Sequence, residues 1–155
     1  MTAAVLSVVL GACTAEAPPA AYDAEAVRAD VTALIQRWSD AGEAGDWAAV
    51  ADTYADAEGF AWIERGDVAY ADHAAIVAGL ESVQASEGSI VNDVSDIVVT
   101  PLGADAAAYR ARYRLQVTTA TFGYESNGVL SGVAINQDGT WRLLQGSFSE
   151  QPQAH

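Results

Sequence analysis

The sequence predicts an α+β domain in which three N-terminal helices pack on one face of a curved, mostly antiparallel sheet. Three observations indicate this class. Apolar side chains in the first half of the chain recur at helical spacing. The second half contains long segments in which apolar and polar residues alternate, as in strands with one buried face. Glycine-containing turns separate these segments.

Three helices are predicted before the long strands. The first spans Tyr22–Ala44, where apolar residues repeat with a helical period. Asp46 is suited to cap a second helix that runs to about Ala55. Asp72 is suited to cap a third helix, in a region that Gly88 ends.

The strand predictions begin with a short hairpin. Phe60–Glu64 and Val68–Tyr70 are apolar segments joined by a turn at Arg65–Asp67. Four long strands follow, and they are Ile90–Thr100, Ala106–Thr121, Val129–Asn136 and Thr140–Glu150. The turns between the last three strands are predicted at Glu125–Gly128 and Gln137–Gly139.

Alternation is clearest in the strand Ala106–Thr121. Its aromatic and apolar side chains face one way, whereas Arg110, Arg112 and Arg114 face the other. This positive stripe either binds an anionic ligand or partner, or pairs with acidic side chains on the outer face of the sheet. The second alternative is preferred. The acids considered as partners are Asp93, Asp96 and Glu150.

The charge of the chain excludes one class of partner. Its 21 acidic residues face 7 arginines and no lysine, for a formal net charge of −14. Such a surface repels nucleic-acid phosphates, so no nucleic acid is predicted as a partner. Two histidines are too few for a histidine-based metal cluster, and there is no glycine-rich phosphate loop. No metal and no cofactor are therefore predicted.

The N-terminal segment is predicted to direct the protein out of the cytoplasm. An uncharged apolar run ends in Leu10-Gly11-Ala12-Cys13, and a small, proline-containing segment follows it. This pattern resembles bacterial lipoprotein signal peptides. The resemblance implies a signal peptide over residues 1–12, a lipid on Cys13 and an anchor in the bacterial cell envelope. Two alternatives stay open, because Cys13 is otherwise an ordinary terminal residue or part of a first strand.

Several motifs in the remaining chain resemble NTF2-like proteins, a superfamily that includes ketosteroid isomerase and the SnoaL-like polyketide cyclases. Leu34–Trp38, Ala44–Trp47 and Val50–Asp56 are similar to the opening of these proteins, and Asp138–Leu144 to their closing hairpin. The resemblance covers about residues 22–150, which leaves residues 13–21 as a tether and 151–155 as a tail. It implies a cone-shaped fold with a pocket between helices and sheet, and a homodimer through the outer sheet face.

The residues of ketosteroid isomerase do not transfer well onto this sequence. Those enzymes use a carboxylate base, a tyrosine and a protonated carboxylic acid. The tyrosine position falls on Trp38 and the base position falls near Trp62, so that Glu64 needs a two-residue shift. The strand Ala106–Thr121 contains no Asp or Glu to serve as the acid. The comparison therefore favours a domain without this catalytic chemistry.

Two sets of site residues are predicted. The catalytic candidates are Glu64, Tyr54 and His73, of which Glu64 and His73 form an acid–base pair if the fold brings them together. The candidates for the walls of a ligand pocket are aromatic residues that fall where this fold places core or pocket side chains. They are Trp38, Tyr54, Trp62, Tyr113 and Phe148.

These observations support three functions. The favoured one is a cell-envelope lipoprotein whose domain binds a small apolar ligand without catalysis, or acts as an accessory or assembly subunit. The second is a SnoaL-like enzyme that carries out acid–base chemistry of isomerase, cyclase or dehydratase type. The third is a dimeric protein-interaction module.

The predicted anchor can be tested by metabolic labelling with palmitate. The native chain is expected to incorporate the label, and the Cys13→Ala variant is expected to incorporate none, because the cysteine sulfur is the attachment point. Label that persists in the variant would refute the anchor.

Overall fold

The computed structural model describes residues 21–86, 89–119 and 121–151 of the chain. The predicted signal peptide, Cys13, and nearly all of the predicted tether and tail lie outside these residues. No helix in the described ranges is long and apolar enough to cross a membrane.

In the part of the chain that the structure describes, three helices and six strands make up the domain. The helices are α1 (Ala24–Ala44), α2 (Trp47–Asp52) and α3 (His73–Ala85). The strands are β1 (Ala61–Glu64), β2 (Asp67–Tyr70), β3 (Ser89–Pro101), β4 (Ala106–Thr118), β5 (Gly123–Gln137) and β6 (Thr140–Glu150). They form one sheet in the order β2-β1-β6-β5-β4-β3, in which only β1 and β6 run parallel. The predicted α+β class is confirmed.

Each helix begins where an aspartate satisfies free backbone N–H groups. The carboxylate of Asp23 accepts from two N–H groups of α1, and Asp46 and Asp72 cap α2 and α3 in the same way. Gly45 ends α1 in the left-handed conformation, at φ 69°. The two caps predicted from the sequence are therefore confirmed.

The second helix is shorter than predicted. It ends at Asp52 and does not reach Ala55, because the chain there pairs with β6. The Leu143 N–H donates to the Thr53 carbonyl oxygen at 2.8 Å, and the Ala55 N–H donates to the Leu143 carbonyl oxygen at 2.9 Å. These ladder bonds replace the bonds of a continuing helix, and they fix the side chain of Tyr54 over the sheet.

The turn predicted at Glu125–Gly128 is wrong. This segment lies inside β5 and pairs with β4 without interruption. The chain turns earlier, where the Thr119 N–H donates to the Phe122 carbonyl oxygen at 2.8 Å and the Thr119 hydroxyl caps the turn. A Ser-Asn-Gly sequence is tolerated in the strand because Gly128 lies against β6, where a Cβ would overlap the carbonyl of Ser149.

The inner face of the sheet packs against α1. This helix buries Val31, Leu34 and Ile35 completely and lies mainly across β3. The hydroxyl of Ser39 in α1 donates to the backbone carbonyl of Asn92 in β3. The helix is thus held to the sheet by apolar burial and by one buried hydrogen bond.

The outer face of the sheet carries the predicted arginine stripe. Arg112 lies 3.8 Å from the carboxylate of Asp96, and Arg114 lies 3.0 Å from that of Glu125. The predicted pairing with acids therefore holds for Asp96, whereas Glu125 takes the place of the other acids considered. A homodimer through this face stays a prediction.

A glycine on β6 makes room for the largest fully buried side chain. Gly146 pairs with Trp62 of β1, and a Cβ on Gly146 would overlap the indole ring. The ring can lie flat against the backbone of β6 only because this position has no side chain.

Replacement of Gly146 by alanine is expected to displace Trp62 and to lower the free energy of unfolding by about 1–3 kcal/mol, as in other overpacked cores. The control is Gly103→Ala, because a Cβ there meets nothing within 4 Å. Urea unfolding of both variants measures the effect, and equal stability of the two would contradict the role given to Gly146.

Candidate functional site

A cavity of about 280 Å³ lies between the three helices and the inner face of the sheet. All three helices and every strand contribute to its wall. The volume falls near the lower end of the ~300–1,000 Å³ that is typical of small-molecule sites. The cavity is therefore large enough for a small metabolite.

Aromatic rings form most of one wall of the cavity. All five side chains predicted as pocket residues line it, and they are Trp38, Tyr54, Trp62, Tyr113 and Phe148. Their rings contact one another edge-on or tilted, with centroids 5.1 Å apart for Tyr54 and Trp62 and 4.6 Å apart for Tyr113 and Phe148. Such edge-to-face pairs add to the energy of burial. The structure thus brings these residues together, and ligand binding by them stays a prediction.

A hydrogen bond fixes two of these rings. The indole N–H of Trp38 in α1 donates to the phenol oxygen of Tyr54 at 2.7 Å. Burial raises the pKa of Tyr54 well above its ordinary value, and the nearby Glu64 carboxylate raises it further, against the opposing effect of the Trp38 N–H. Tyr54 is therefore a neutral phenol at physiological pH, and it is not suited to act as a base.

Asn92 supplies a polar atom without a partner. Its side chain points from β3 to the inner face, is 4% exposed and lines the cavity. The side-chain oxygen of Asn92 has no hydrogen-bond partner among the residues that the structure describes. A buried acceptor without a donor costs about 1–3 kcal/mol, so such atoms are rare in folded proteins. A ligand with a donor group would satisfy it.

Two hydrogen-bonded pairs of polar side chains lie where β4, β5 and β6 border the cavity. The hydroxyls of Tyr113 and Ser126 share a hydrogen bond of 2.8 Å, and the hydroxyl of Tyr124 donates to the carboxylate of Glu150. Tyr124 and Ser126 reach this position because β5 continues through the segment that was predicted to be a turn.

Glu64 places a second carboxyl group on the wall, at the end of β1. Burial raises the pKa of Glu64, the adjacent Arg65 lowers it, and Glu150 raises it. The dominant cause is burial, so the carboxyl group holds its proton to a higher pH than an exposed glutamate does. Such a group can accept or donate a proton within the cavity.

His73 lies apart from this cavity. It borders an outer depression together with Asp52, Asp56 and Arg142, and Tyr54 lines both this depression and the cavity. The structure therefore brings Tyr54 and Glu64 to one cavity but does not pair His73 with Glu64. Within the described ranges no group of three or more His, Cys, Asp or Glu side chains is arranged to hold a metal ion.

Sequence reasoning missed several residues of the wall. Tyr124 and Ser126 were hidden by the incorrect turn, and Glu150 was considered only as a partner for the outer arginines. Asn92 left a usable signal, because it lies between the apolar residues Ile90 and Val94 on the inner face of β3. A polar side chain at such a position marks either a buried hydrogen bond or a ligand contact.

The comparisons with known proteins agree with this architecture. Residues 31–153 match the family model of the SnoaL-like domain. The fold is similar to that of a protein of unknown function from Mycobacterium tuberculosis, with a TM-score of 0.67, 17% identity and coverage of 81% of this chain and 72% of that chain. No curated protein sequence matches the chain significantly.

Two further solved structures carry names that suggest an activity for those proteins. One is a candidate scytalone dehydratase from Novosphingobium aromaticivorans, with a TM-score of 0.70, 10% identity and coverage of 80% of this chain and 83% of that chain. The other is a candidate dehydratase of the NTF2-like family from Streptomyces avermitilis, with a TM-score of 0.67, 15% identity and coverage of 79% and 94%. At these identities the likeness shows the fold alone.

The raised pKa of Glu64 predicts a pH-dependent effect on stability. The folded state holds this proton more tightly than the unfolded chain, so the native protein loses stability as the pH rises from the ordinary value of 4.5 through the raised pKa. The Glu64→Gln variant does not titrate at this position. Its free energy of unfolding, relative to that of the native protein, is expected to increase over this pH range and then to level off.

Urea unfolding between pH 4 and pH 8 measures this difference. Glu58→Gln is the matched control, because it removes one carboxylate from an exposed position outside the cavity. A difference for Glu64→Gln that decreases as the pH rises would show that the carboxylate is stabilised in the folded protein.

Proposed function

Because the chain belongs to the family of SnoaL-like domains, we propose that its cavity binds a small, mostly apolar molecule that carries a hydrogen-bond donor. Membership in this family and the similar solved structures confirm the predicted NTF2-like fold. The fold does not set the activity, so the proposal rests on the residues of the cavity.

The observation that carries the proposal is the unpartnered side-chain oxygen of Asn92. An apolar side chain of similar volume at this position would remove the cost of the buried acceptor. The polar side chain instead leaves a fully buried acceptor without a donor, on a residue that borders a cavity otherwise lined mainly by rings and aliphatic groups. A bound donor group offsets this cost, which makes the acceptor a means of selecting a ligand.

The aromatic wall supports an apolar body for the ligand. Trp38 and Tyr54 are held by their mutual hydrogen bond, and Trp62 is fixed over Gly146. Rings that are fixed before the ligand arrives lose little conformational freedom on binding. A flat or short-chain apolar ligand gains the full energy of its burial between them.

The proposal extends to location and assembly. The segment that ends at Cys13 supports an extracytoplasmic domain that is lipid-anchored to the cell envelope, where it acts as a binding protein or an accessory subunit. The resemblance to NTF2-like proteins supports a homodimer through the outer sheet face.

A second candidate function is acid–base catalysis in the same cavity. It is favoured by Glu64, whose pKa is raised by burial and which lies on the same wall as the neutral phenol of Tyr54. A buried carboxyl group that gains and loses a proton, beside a neutral phenol, supplies the groups that acid–base catalysis uses. Turnover of a bound ligand that is lost in Glu64→Gln, with binding retained, would select this function.

The binding proposal is tested with phenol and toluene, which have the same shape but differ in the donor group. The native protein is expected to bind both ligands. In the Asn92→Leu variant phenol binding is expected to weaken about tenfold relative to toluene binding, because one buried hydrogen bond is lost. Titration calorimetry and the fluorescence of Trp38 and Trp62 measure the two affinities.

The control variant is Asn127→Leu, which makes the same replacement at an exposed position of β5. It is expected to leave both affinities unchanged. Failure of the native protein to bind either compound, or an equal loss for both compounds in Asn92→Leu, would contradict the proposed role of the cavity.

A further inference from the structure

We propose that the ligand of this cavity is a small cationic amine with a second hydrogen-bond donor, a proposal that rests on the binding function above. Two carboxylates on one side of the cavity would bind the ammonium group. The acceptor of Asn92 on the other side would bind the second donor. The aromatic rings between them would enclose the body of the ligand.

The carboxylates are those of Glu64 and Glu150. Both line the cavity, Glu64 at the end of β1 and Glu150 at the end of β6. Within residues 21–86, 89–119 and 121–151 neither carboxylate forms an ion pair with an arginine. One cation, Arg65, also borders the cavity, from an exposed turn. Two carboxylates and one guanidinium give this part of the cavity wall an excess of negative charge, which favours a cationic ligand.

The rings beside these carboxylates also favour a cation. Trp62 and Tyr54 lie next to Glu64 on the cavity wall, and indole and phenol faces attract ammonium groups within about 6 Å of the ring centre. Aromatic rings combined with acidic side chains are the surroundings in which proteins bind organic ammonium ions. An anionic ligand would meet two carboxylates and the negative faces of these rings.

Asn92 borders the cavity from another part of the sheet than the two glutamates. It lies on the edge strand β3, and the strands β4 and β5 separate β3 from β6 and β1, which carry the glutamates. Because the curved sheet brings both sides to one cavity, the two carboxylates and the Asn92 amide border it from different strands. A ligand that fits them presents a donor at each end and an apolar body between.

The charge of the whole protein acts in the same direction. A formal net charge of −14 raises the concentration of cations near the surface and lowers that of anions. This field increases the association rate of an amine and makes it sensitive to ionic strength.

Three phenyl compounds test the proposal. Tyramine carries an ammonium and a phenol, tyrosol replaces the ammonium by a hydroxyl of the same size, and phenethylamine lacks the phenol. At pH 7 and low salt, tyramine is expected to bind the native protein at least about tenfold more tightly than tyrosol, as for a charge-assisted hydrogen bond. It is also expected to bind more tightly than phenethylamine. Titration calorimetry gives the three affinities.

Two variants assign the preferences to the two ends. Glu64→Gln is expected to abolish most of the preference for tyramine over tyrosol, and Asn92→Leu the preference for tyramine over phenethylamine. Glu58→Gln removes one carboxylate, as Glu64→Gln does, and makes the formal net charge less negative by the same amount, but Glu58 lies outside the cavity. It is expected to preserve both preferences, which separates a local contact from the long-range field.

The pH dependence provides an independent readout. Tyramine affinity is expected to fall as the pH is lowered through the raised pKa of Glu64, whereas tyrosol affinity stays constant. The other charged and titratable groups around the cavity are Glu150, Arg65, Tyr54, Tyr70, Tyr113 and Tyr124. Burial raises the pKa of each of these four tyrosines, so they stay neutral over this pH range.

The outcomes distinguish this proposal from the function on which it rests. If tyrosol binds as tightly as tyramine, or if 4-hydroxyphenylacetate binds more tightly than both, the cavity is a ligand site but the amine proposal is wrong. If none of these compounds and neither phenol nor toluene binds, both proposals are wrong.

Discussion

The cavity exists because the rings that could fill it are held in place by other contacts. The Trp38 indole is bonded to Tyr54, the Tyr113 hydroxyl is bonded to Ser126, and Trp62 is fixed over Gly146. A core of freely rotating aliphatic side chains would close over a void of this size, because an unfilled apolar space loses contact energy. Rings tied by polar groups cannot rotate without breaking a buried hydrogen bond. The helices and strands therefore enclose a space that packing alone would remove.

Most of the charged or unpaired polar groups on the cavity wall are hydrogen-bond acceptors. Glu64 and Glu150 contribute carboxylates, and Asn92 contributes an amide oxygen without a donor. A fold that needed only stability would use apolar side chains at such inward positions, because these cost no desolvation. Polar side chains at these positions are instead consistent with a binding site whose ligand supplies the hydrogen-bond donors and the positive charge. The net charge of the chain, which argues against nucleic acid as a partner, has the same negative sign as the carboxylates that line the cavity.

The sequence predicted the structure correctly where a local rule and the tertiary structure agree. Alternation along β4 correctly placed Tyr113 inside and Arg114 outside, and the aspartate caps located two helix starts. It failed where a tertiary contact overrode a local preference. Pairing with β4 carries β5 through residues that favour a turn, and pairing with Leu143 ends α2 early. The role of Asn92 was not predictable, because whether its amide finds a partner depends on residues far away in the chain.

The course of β5 has a consequence for how this site can change. Tyr124 and Ser126 point inward because of the position of each residue along a strand that is paired with β4 throughout, and their neighbours Glu125 and Asn127 point outward. A deletion of one residue within this stretch would exchange the two sets, and carboxylate and amide would replace the phenol and hydroxyl at the opening. A deletion or insertion in the Thr119–Phe122 turn, by contrast, can be absorbed by the loop. Substitutions can therefore adjust the specificity of the site gradually, whereas length changes within β5 would alter it in a single step.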